Sequence, residues 1–311
     1  MRIVFMGTPD FAVETLEEII KAGHEVVLVV SQPDKAVGRS KALKYTPVKA
    51  CALAHGLTVY QPERVRGAEC IAHLKEYEPD IIIVVAFGQI IPGEILMMPR
   101  YGCVNVHASL LPKYRGASPI QWAVINGDTM TGVTTQRMDE GLDTGDIIEQ
   151  QEVIIADDET GGSLFERLSE VGAKLCVHTM AAIEAGTASY TPQEHDEATH
   201  TAKIHKELGS IDWTRDAVSI ECLIRGLDPW PSAYTRLGNK TLKIWKAEVV
   251  ASEPLAAPGC VVRATRDGIL VQTGKGLLNL LEVQLEGKKR MPAEAFLNGC
   301  PIEDGTFLRK G

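Results

Sequence analysis

The chain has few of the features that mark secreted, membrane-spanning or metal-dependent proteins. Its 311 residues include seven cysteines, an odd number, and no two of them form a Cys-x-x-Cys pair. Neither a disulfide framework nor a zinc knuckle is indicated, so we expect free thiols and no bound metal. The longest apolar run, residues 81–93, contains Gln89 and is shorter than the roughly 20 residues that span a bilayer. The apolar stretch before Gly7 is too short for a signal peptide, so we expect a cytoplasmic protein without membrane association.

The chain also lacks an even distribution of charge. Its net charge is −9, but residues 1–202 carry 16 basic and 28 acidic side chains, whereas residues 203–311 carry 16 and 13. A mildly basic second part weakly indicates an anionic partner, although ordinary variation in surface charge explains the difference better on this evidence alone. The hydrophobic content of 45% is enough to build packed cores, and we expect two at this length.

Strands and helices alternate through the first part of the chain. Residues 2–6 and 25–30 are apolar after their first, charged residue and enclose a helical pattern, and residues 81–86 are the most apolar strand. This alternation is typical of an α/β domain with a mostly parallel sheet, and residues 81–86 should lie at its centre. One glycine follows the first strand, rather than the three of a dinucleotide-binding turn. We therefore interpret Thr8 and Pro9 as the cap and the first-turn proline of a helix.

The last part of the chain follows a different pattern. Residues 188–206 lack periodicity, and we interpret them as a linker between a first domain, 1–187, and a second domain, 207–311. The second domain contains several short strands punctuated by glycine, a spacing that predicts a small all-β barrel. Barrels of this kind often bind oligonucleotides, but a fold alone does not give a function.

Two polar side chains stand on a short predicted strand that begins near Cys103. Asn105 and His107 are two residues apart, so their side chains project from the same face. The amide can donate a hydrogen bond to a developing oxyanion, and the imidazole can move protons near neutral pH. Further along, Asp143 lies on a loop punctuated by glycines, and its carboxylate would hold the ring's tautomer and favour the protonated ring. This set suits the direct attack of an amine on a carbonyl carbon.

Each of these residues also has a structural interpretation. The asparagine could form a turn, the histidine could be a hydrogen-bonded structural group, and Asp143 could close an Asx turn. Ser109 is the candidate for a covalent nucleophile, but direct transfer to an amine needs none. Phe11 could belong to the core or face a ligand. From the residues alone, acyl transfer and a non-catalytic receptor for a small ligand both remain open.

Residues 35–49 carry five basic side chains and no acidic one. No apolar period is visible from residue 31 onward, so we predict a long irregular loop ahead of a helix. Loops of this length in a compact domain are often functional. A solvated run of charges is the commoner explanation, but a sign opposite to that of the acidic surroundings favours contact with a phosphate backbone.

Several motifs together resemble those of the folate-dependent formyltransferases. The shared motifs are Asn105-x-His107-x-Ser109-Leu110-Leu111-Pro112-x-x-Arg115-Gly116 and Gly141-x-Asp143-x-Gly145. Four further motifs resemble those of the family members that formylate methionyl-tRNA. They are Gly7-Thr8-Pro9-Asp10-Phe11, Ser31-Gln32-Pro33-Asp34, Gly38-Arg39 and Asp228-Pro229-Trp230-Pro231. The resemblance extends over the whole chain.

The resemblance implies a Rossmann-like first domain and an OB-fold-like second domain that binds tRNA. It implies transfer of a formyl group from the co-substrate 10-formyl-tetrahydrofolate to the α-amine of methionine on initiator tRNA. Asn105, His107 and Asp143 would be the catalytic residues. No metal is implied, and we expect a monomer.

The same resemblance assigns the binding residues. The folate site would be lined by Ser109, Leu110, Leu111 and Pro112, and the backbone of Phe87, Gly88 and Ile90 would help to enclose the pterin. Phe11 would border the methionyl side chain. Arg39 and Lys41 would engage the acceptor stem, with Ser40 standing where a second glycine is common in relatives.

Other functions share part of this pattern. Formyltransferases that act on a sugar nucleotide or a purine-pathway amine, and 10-formyl-tetrahydrofolate hydrolases, would contain the same catalytic set. The basic residues 35–49 and the positive second domain favour RNA as the partner. An RNA-binding protein with a vestigial Rossmann domain is an alternative of another class, and the intact Asn105, His107 and Asp143 set speaks against it.

Overall fold

The structure, a computed structural model, describes residues 1–37 and 42–311. The chain divides into two compact units. The first consists of Met1–Gly116, Thr131–Ile154 and Phe165–Thr201, and the second of Ala117–Met130, Ile155–Leu164 and Ala202–Gly311. The two units interleave along the chain, and the domain boundaries that we predicted at residues 187 and 207 remain predictions.

The strands are, in chain order, β1 Arg2–Gly7, β2 Glu25–Val30, β3 Lys35–Val37, β4 Ala42–Lys44, β5 Val59–Tyr60, β6 Ile81–Val85, β7 Cys103–His107, β8 Arg115–Gly116, β9 Met130–Arg137, β10 Ile147–Ile154, β11 His200–Thr201, β12 Ala233–Leu237, β13 Lys240–Val250, β14 Val261–Thr265, β15 Gly268–Gln272, β16 Leu277–Leu285, β17 Met291–Pro292 and β18 Leu308–Arg309. The α-helices are α1 Val13–Lys21, α2 Pro47–Ala54, α3 Ala68–Glu76, α4 Gly93–Leu96, α5 Pro119–Ile125, α6 Gly161–Ala185, α7 Ala217–Gly226 and α8 Ala293–Gly299. Within the described residues, no helix combines the length and the apolar character that a membrane crossing requires.

A seven-stranded sheet in the order β10-β9-β7-β6-β1-β2-β5 forms the centre of the first unit. The five strands from β7 to β5 in this order run parallel, and β9 is antiparallel to β7. β6 lies in the middle of the order and all its residues are buried. The mostly parallel sheet and its predicted centre are therefore confirmed. Because parallel strands end at the same edge, the residues that follow β1, β6 and β7 share one edge of the sheet.

The turn after β1 differs from the sequence interpretation. A 3₁₀ turn at Asp10–Ala12 precedes α1, and no side chain caps it. The Thr8 hydroxyl instead donates to the Phe87 carbonyl at 3.1 Å. The interpretation of Thr8 and Pro9 as a helix start is therefore wrong, because the hydroxyl ties the end of β1 to the loop after β6.

Part of the segment predicted as an irregular loop is a hairpin. β3 and β4 pair antiparallel, with Lys35 opposite Lys44. Strands of three residues are too short to show a period in the sequence, which explains why the pattern missed them. Arg39 and Lys41 lie outside the described residues, so their predicted contact with an acceptor stem stays a prediction.

The base of this hairpin is held by a polar cluster. The ammonium of Lys49 donates to Asp34 Oδ2 at 2.5 Å and to Gln61 Oε1 at 2.7 Å. The hydrogen bond from Lys49, and a second one from Gln61 Nε2 to Asp34 Oδ1 at 2.8 Å, keep the pKa of the Asp34 carboxyl below its usual value, with Lys49 the main cause. The two ends of the basic segment are thereby joined to the body of the first unit.

The second unit contains an antiparallel sheet in the order β14-β15-β16-β13-β12-β18, with β17 paired to β16. The first and last strands of this order also meet, since Val261 N donates to Thr306 O and Leu308 N donates to Gly259 O, both at 2.8 Å. The sheet therefore curls back on itself around an apolar core that includes Trp213. The short strands predicted for the second domain are present, and the specific assignment to the OB fold remains a prediction.

Residues 191–201, which we predicted to be part of a linker, make ordered contacts within the first unit. β11 runs parallel to β8, with His200 opposite Arg115. Thr191 exchanges two backbone hydrogen bonds with Ile147, of 2.8 and 2.9 Å. We call residues 191–201 the strap. Its irregular, polar sequence gave no sign of this packing.

Candidate active site

β7 presents Asn105 and His107 on one face, and both side chains are nearly buried, at 9% and 7% exposure. Asn105 Nδ2 lies 3.4 Å from Asp143 Oδ1 and donates to it. His107 Nδ1 lies 3.7 Å from the same oxygen. The structure therefore brings the three predicted catalytic residues together around one carboxylate oxygen, at the edge of the sheet where the parallel strands end.

The His107 ring is oriented by a backbone carbonyl. Its Nε2 lies 2.9 Å from Tyr114 O, and a carbonyl can only accept, so Nε2 carries a proton. Nδ1 then faces Asp143, at a distance too long for a hydrogen bond. The tautomer is therefore set by Tyr114 and not by Asp143, contrary to the prediction. A second proton, on Nδ1, would make the ring a cation that the neighbouring carboxylate stabilises.

The Asp143 carboxylate has two further donors that the sequence did not reveal. Oδ2 accepts from Gly116 N at 2.8 Å, and Oδ1 accepts from Gln136 Nε2 at 3.2 Å. Gln136 lies directly opposite Asn105 in the β7–β9 pairing, which only the antiparallel register could have indicated. Its Oε1 is buried and has no hydrogen-bond partner among the described residues. An acceptor is thus available beside Asp143.

The loop that carries Asp143 has a shape that its neighbours impose. Asp139 Oδ1 accepts from Gly141 N at 3.0 Å and from Thr144 Oγ1 at 2.6 Å, so Asp139 closes the Asx-type turn. A Cβ at Gly145 would lie 1.9 Å from Arg137 O, which excludes any other residue there. Asp143 is therefore released from the turn-forming role that was its structural alternative, and its carboxylate is directed to the site.

The motif that follows β7 is more buried than a ligand-lining role would suggest. Ser109 is fully buried and its hydroxyl donates to Lys113 O at 2.7 Å, so it is not placed as a nucleophile. Leu111 is buried, and its N–H donates to Thr134 Oγ1 at 3.1 Å. Leu110 and Pro112 are partly exposed. Of the four predicted folate contacts in this motif, these two offer side-chain surface to a ligand.

The loop after β6 meets the Asp143 loop. Phe87 is buried, its carbonyl is engaged by Thr8, and Gly88 is exposed. A Cβ on Gly93, where this loop ends and α4 begins, would lie 2.6 Å from Glu140 Oε1, so the two segments touch there.

Each of the two touching loops also leaves a large apolar side chain in solvent. Ile90, on the loop after β6, is 81% exposed, and Leu142, on the Asp143 loop, is 62% exposed. Both side chains are apolar and open to solvent, and Leu142 directly precedes Asp143 in the chain.

Phe11 packs as a core residue. It is 5% exposed and meets Phe165 edge to face, with ring centroids 5.4 Å apart. Its carbonyl accepts from Ser169 Oγ at 3.1 Å. These contacts match the structural alternative, and its predicted place beside a methionyl side chain stays a prediction.

A separate group of possible metal ligands lies on α1 and α2. The thiol of Cys51 and the ring nitrogen of His55 lie 3.3 and 3.1 Å from Glu17 Oε1. Burial, together with the Glu17 carboxylate, raises the pKa of the Cys51 thiol to about 12. The protonated thiol therefore donates to Glu17, and hydrogen bonds account for the cluster. It contains none of the residues gathered around Asp143.

Comparison with known proteins gives a consistent result. Residues 1–180 match the family model described as formyl transferase, and residues 203–301 match the formyl transferase C-terminal domain. The methionyl-tRNA formyltransferase of Agathobacter rectalis is 64% identical over 308 residues, covering 99% of both chains. That of Lachnospira eligens is 55% identical over 314 residues, again covering 99% of both.

Solved structures extend the likeness in fold. The sugar 3N-formyl transferase WlaRD, crystallised in the presence of dTDP and 5-N-formyl-THF, has a TM-score of 0.66 and 21% sequence identity. The match covers 93% of this chain and 99% of that one. At such low identity the similarity concerns the fold alone.

Proposed function

Because this chain belongs to the formyl transferase family, we propose that it moves a formyl group from 10-formyl-tetrahydrofolate to the α-amine of methionine on initiator tRNA. The observation that carries the chemistry is the meeting of Asn105, His107 and Asp143 around one carboxylate oxygen. An amide donor, a proton carrier and a fixed negative charge are the groups that a tetrahedral formyl-transfer intermediate requires.

The choice of acceptor rests on full-length similarity. The relatives at 64% and 55% identity are named methionyl-tRNA formyltransferases, whereas the sugar-modifying enzyme shares 21%. The basic hairpin segment and the excess of basic residues in 203–311 supply the positive charge that a tRNA backbone would meet.

The donor site is proposed at the edge of the sheet beyond β6 and β7. The exposed Ile90 and Leu142 offer apolar surface to a flat pterin ring, and Leu110 and Pro112 offer more. The backbone from Phe87 to Ile90 would help to enclose that ring. Three of the predicted residues would support the donor site without contacting the ligand through their side chains, because those side chains are buried: Ser109, Leu111 and Phe87.

In the proposed mechanism the neutral α-amine attacks the formyl carbon, a C–N bond forms and the carbonyl oxygen becomes an oxyanion. Asn105 Nδ2 and a proton on His107 Nδ1 donate to that oxygen. Asp143 stabilises the imidazolium by its charge. The attacking nitrogen then loses a proton, the bond from the formyl carbon to the folate nitrogen breaks, and that nitrogen leaves protonated. His107 and Asp143 are the groups placed to relay this proton, directly or through a bound water.

The test is an acceptor panel. The purified chain is incubated with 10-formyl-tetrahydrofolate and, in parallel, with methionyl initiator tRNA, methionyl elongator tRNA and a dTDP-linked amino sugar. We expect formyl-methionine on the initiator tRNA and little product elsewhere. Formylation of the amino sugar alone, or release of free formate in every reaction, would contradict the proposal.

A further inference from the structure

We propose that the strap positions the catalytic set, and that it does so through Gln193 and Thr199. This inference rests on the proposed function, because it assigns two positioning residues to the same reaction. Neither residue belongs to the motifs from which the site was recognised.

The catalytic set depends on two residues in an unusual backbone conformation. Tyr114, whose carbonyl orients His107, has φ +59°, and Asp143 has φ +53°. Residues other than glycine rarely adopt this left-handed conformation. Such conformations persist where the surroundings over-determine them, and they concentrate at functional sites.

The strap contacts both of these residues. Gln193 Nε2 donates to Asp143 O at 2.9 Å and to Gly145 O at 2.7 Å. Thr199 Oγ1 accepts from Tyr114 N at 2.8 Å. One side chain of the strap therefore fixes the backbone that carries Asp143, and another fixes the backbone that orients His107.

The orientation of Gln193 is itself determined by Arg115. The Arg115 guanidinium donates to Gln193 Oε1 from Nη2 at 2.7 Å and from Nε at 3.1 Å. A guanidinium has no acceptor, so Oε1 must face Arg115 and Nε2 must face the Asp143 loop. Both side chains are buried, at 5% and 3% exposure. The amide is thus locked in the orientation that serves the loop.

The backbone of the strap adds to this arrangement. Arg115 N donates to Thr199 O at 2.8 Å, and β11 continues the pairing alongside Gly116. Gly116 N in turn donates to Asp143 Oδ2. The strap therefore acts on Asp143 from two directions, through the loop backbone and through the strand that carries Gly116.

The strap contacts should therefore affect the rate of the chemical step and leave substrate affinity largely unchanged. Loss of a strap contact should let Asp143 or His107 drift, and a displacement of about 1 Å at a reacting group costs on the order of 100-fold in rate. Substrate affinity should change little, since neither strap side chain has been placed at a substrate-lining position.

The test compares Gln193→Leu and Thr199→Val with matched controls that make the same replacements at exposed sites, Gln151→Leu and Thr187→Val. We expect kcat to fall by about 10- to 100-fold in the strap variants, with KM for tRNA and folate within about threefold of the wild-type values. Thr199→Ser, which keeps the hydroxyl, should restore kcat. Equal kcat in strap and control variants would overturn the proposal.

A double-mutant cycle separates positioning from general damage. In an Asp143→Ala background, Gln193→Leu should lower kcat little further. Gln193 still bonds the backbone carbonyl at position 143, but the carboxylate that this bond positions is absent. A full additional loss, or a fall in kcat that merely follows the unfolded fraction, would show a structural role only.

Amide exchange gives a readout that does not depend on activity. Exchange at the Gly116 N–H should be faster in Gln193→Leu than in Gln151→Leu, by about tenfold, and unchanged exchange would contradict the proposal. An inactive wild-type enzyme with this exchange difference would mean that the proposed function fails while the strap remains. Equal activity of the wild-type enzyme and the strap variants would mean that the proposed function holds while the strap proposal fails.

Discussion

The two units of the chain use buried polar groups in different ways. In the second unit the Trp213 Nε1–H donates to Thr235 Oγ1 at 3.0 Å, and that hydroxyl donates to Arg309 O at 2.8 Å. Trp213 belongs to the apolar core, and Thr235 is fully buried. In the first unit His107 Nδ1 faces Asp143 across 3.7 Å, and a buried Gln136 oxygen has no partner among the described residues. In the first arrangement the polar groups bond one another, so we call it closed, and it serves stability. In the second, polar groups are left without a hydrogen-bond partner among the described residues, so we call it open, and reacting groups would supply the missing partners.

The largest effect that this comparison predicts concerns the closed arrangement. Trp213→Ala should lower the free energy of unfolding by about 3–5 kcal/mol, because it removes a buried aromatic ring and leaves a cavity. Denaturant unfolding measures the change, and Trp230→Ala, at a half-exposed tryptophan, is the control. A change below about 1 kcal/mol, within the range of a surface substitution, would remove the contrast between the units.

The open arrangement should respond in rate rather than in stability. Asn105→Ala should reduce turnover by two or more decades, roughly 3 kcal/mol of transition-state stabilisation for one oxyanion donor. Steady-state formylation measures the loss, and an unfolding transition close to that of the wild-type enzyme checks the fold. Turnover near the wild-type level would refute the role of Asn105.

Substitutions in the basic segment, residues 35–49, should weaken the interaction with tRNA and leave folate binding unchanged. Arg39→Ala combined with Lys41→Ala should weaken tRNA use about tenfold and reduce the slope of log affinity against log salt by about 1.5, since two phosphate contacts are lost. The affinity for folate should be the same in the variant and the wild type, and Lys21→Ala, at an exposed lysine paired with Glu18, is the control. A fall in folate affinity instead would show that the segment is wrongly assigned.

The smallest predicted effect comes from a closed polar site in the second unit. Asp216 caps α7 by accepting from Ser219 N at 2.9 Å, and its hydrogen bonds to Ser219 lower the pKa of its carboxyl. Asp216→Ala should cost about 1 kcal/mol of stability at neutral pH, and Asp216→Asn should cost much less.

The pH dependence of this effect follows from the sign of the shift. A lowered carboxyl pKa means that the ionised group stabilises the folded state above its ordinary pKa, and that this part is lost as the pH falls through the lowered value. Denaturant unfolding of the wild type and Asp216→Ala should therefore converge in acid. A difference that grows on acidification would contradict the assignment.

The sequence was sufficient to predict the positions of residues that depend only on local spacing and local apolar character. Asn105 and His107 share a face because strand side chains alternate, and residues 81–86 were placed at the sheet centre because they form the most apolar strand. Gln136 was missed because its place beside Asp143 depends on an antiparallel register. Gln193 was missed because its segment meets β8 only after folding, with about 80 residues between them in the chain, and irregular polar sequence is typical of linkers.

The central claim is that the charge of Asp143 supports formyl transfer through His107. Asp143→Asn keeps the shape of the side chain and removes its charge, and single-turnover transfer from 10-formyl-tetrahydrofolate to methionyl initiator tRNA isolates the chemical step. We predict a rate at least about 100-fold below that of the wild-type enzyme, with unchanged tRNA affinity. The amide nitrogen loses the hydrogen bond from Gly116 N or those from Asn105 and Gln136, so an unfolding curve must show that the variant is folded at the assay temperature. A single-turnover rate equal to the wild-type rate would contradict the claim.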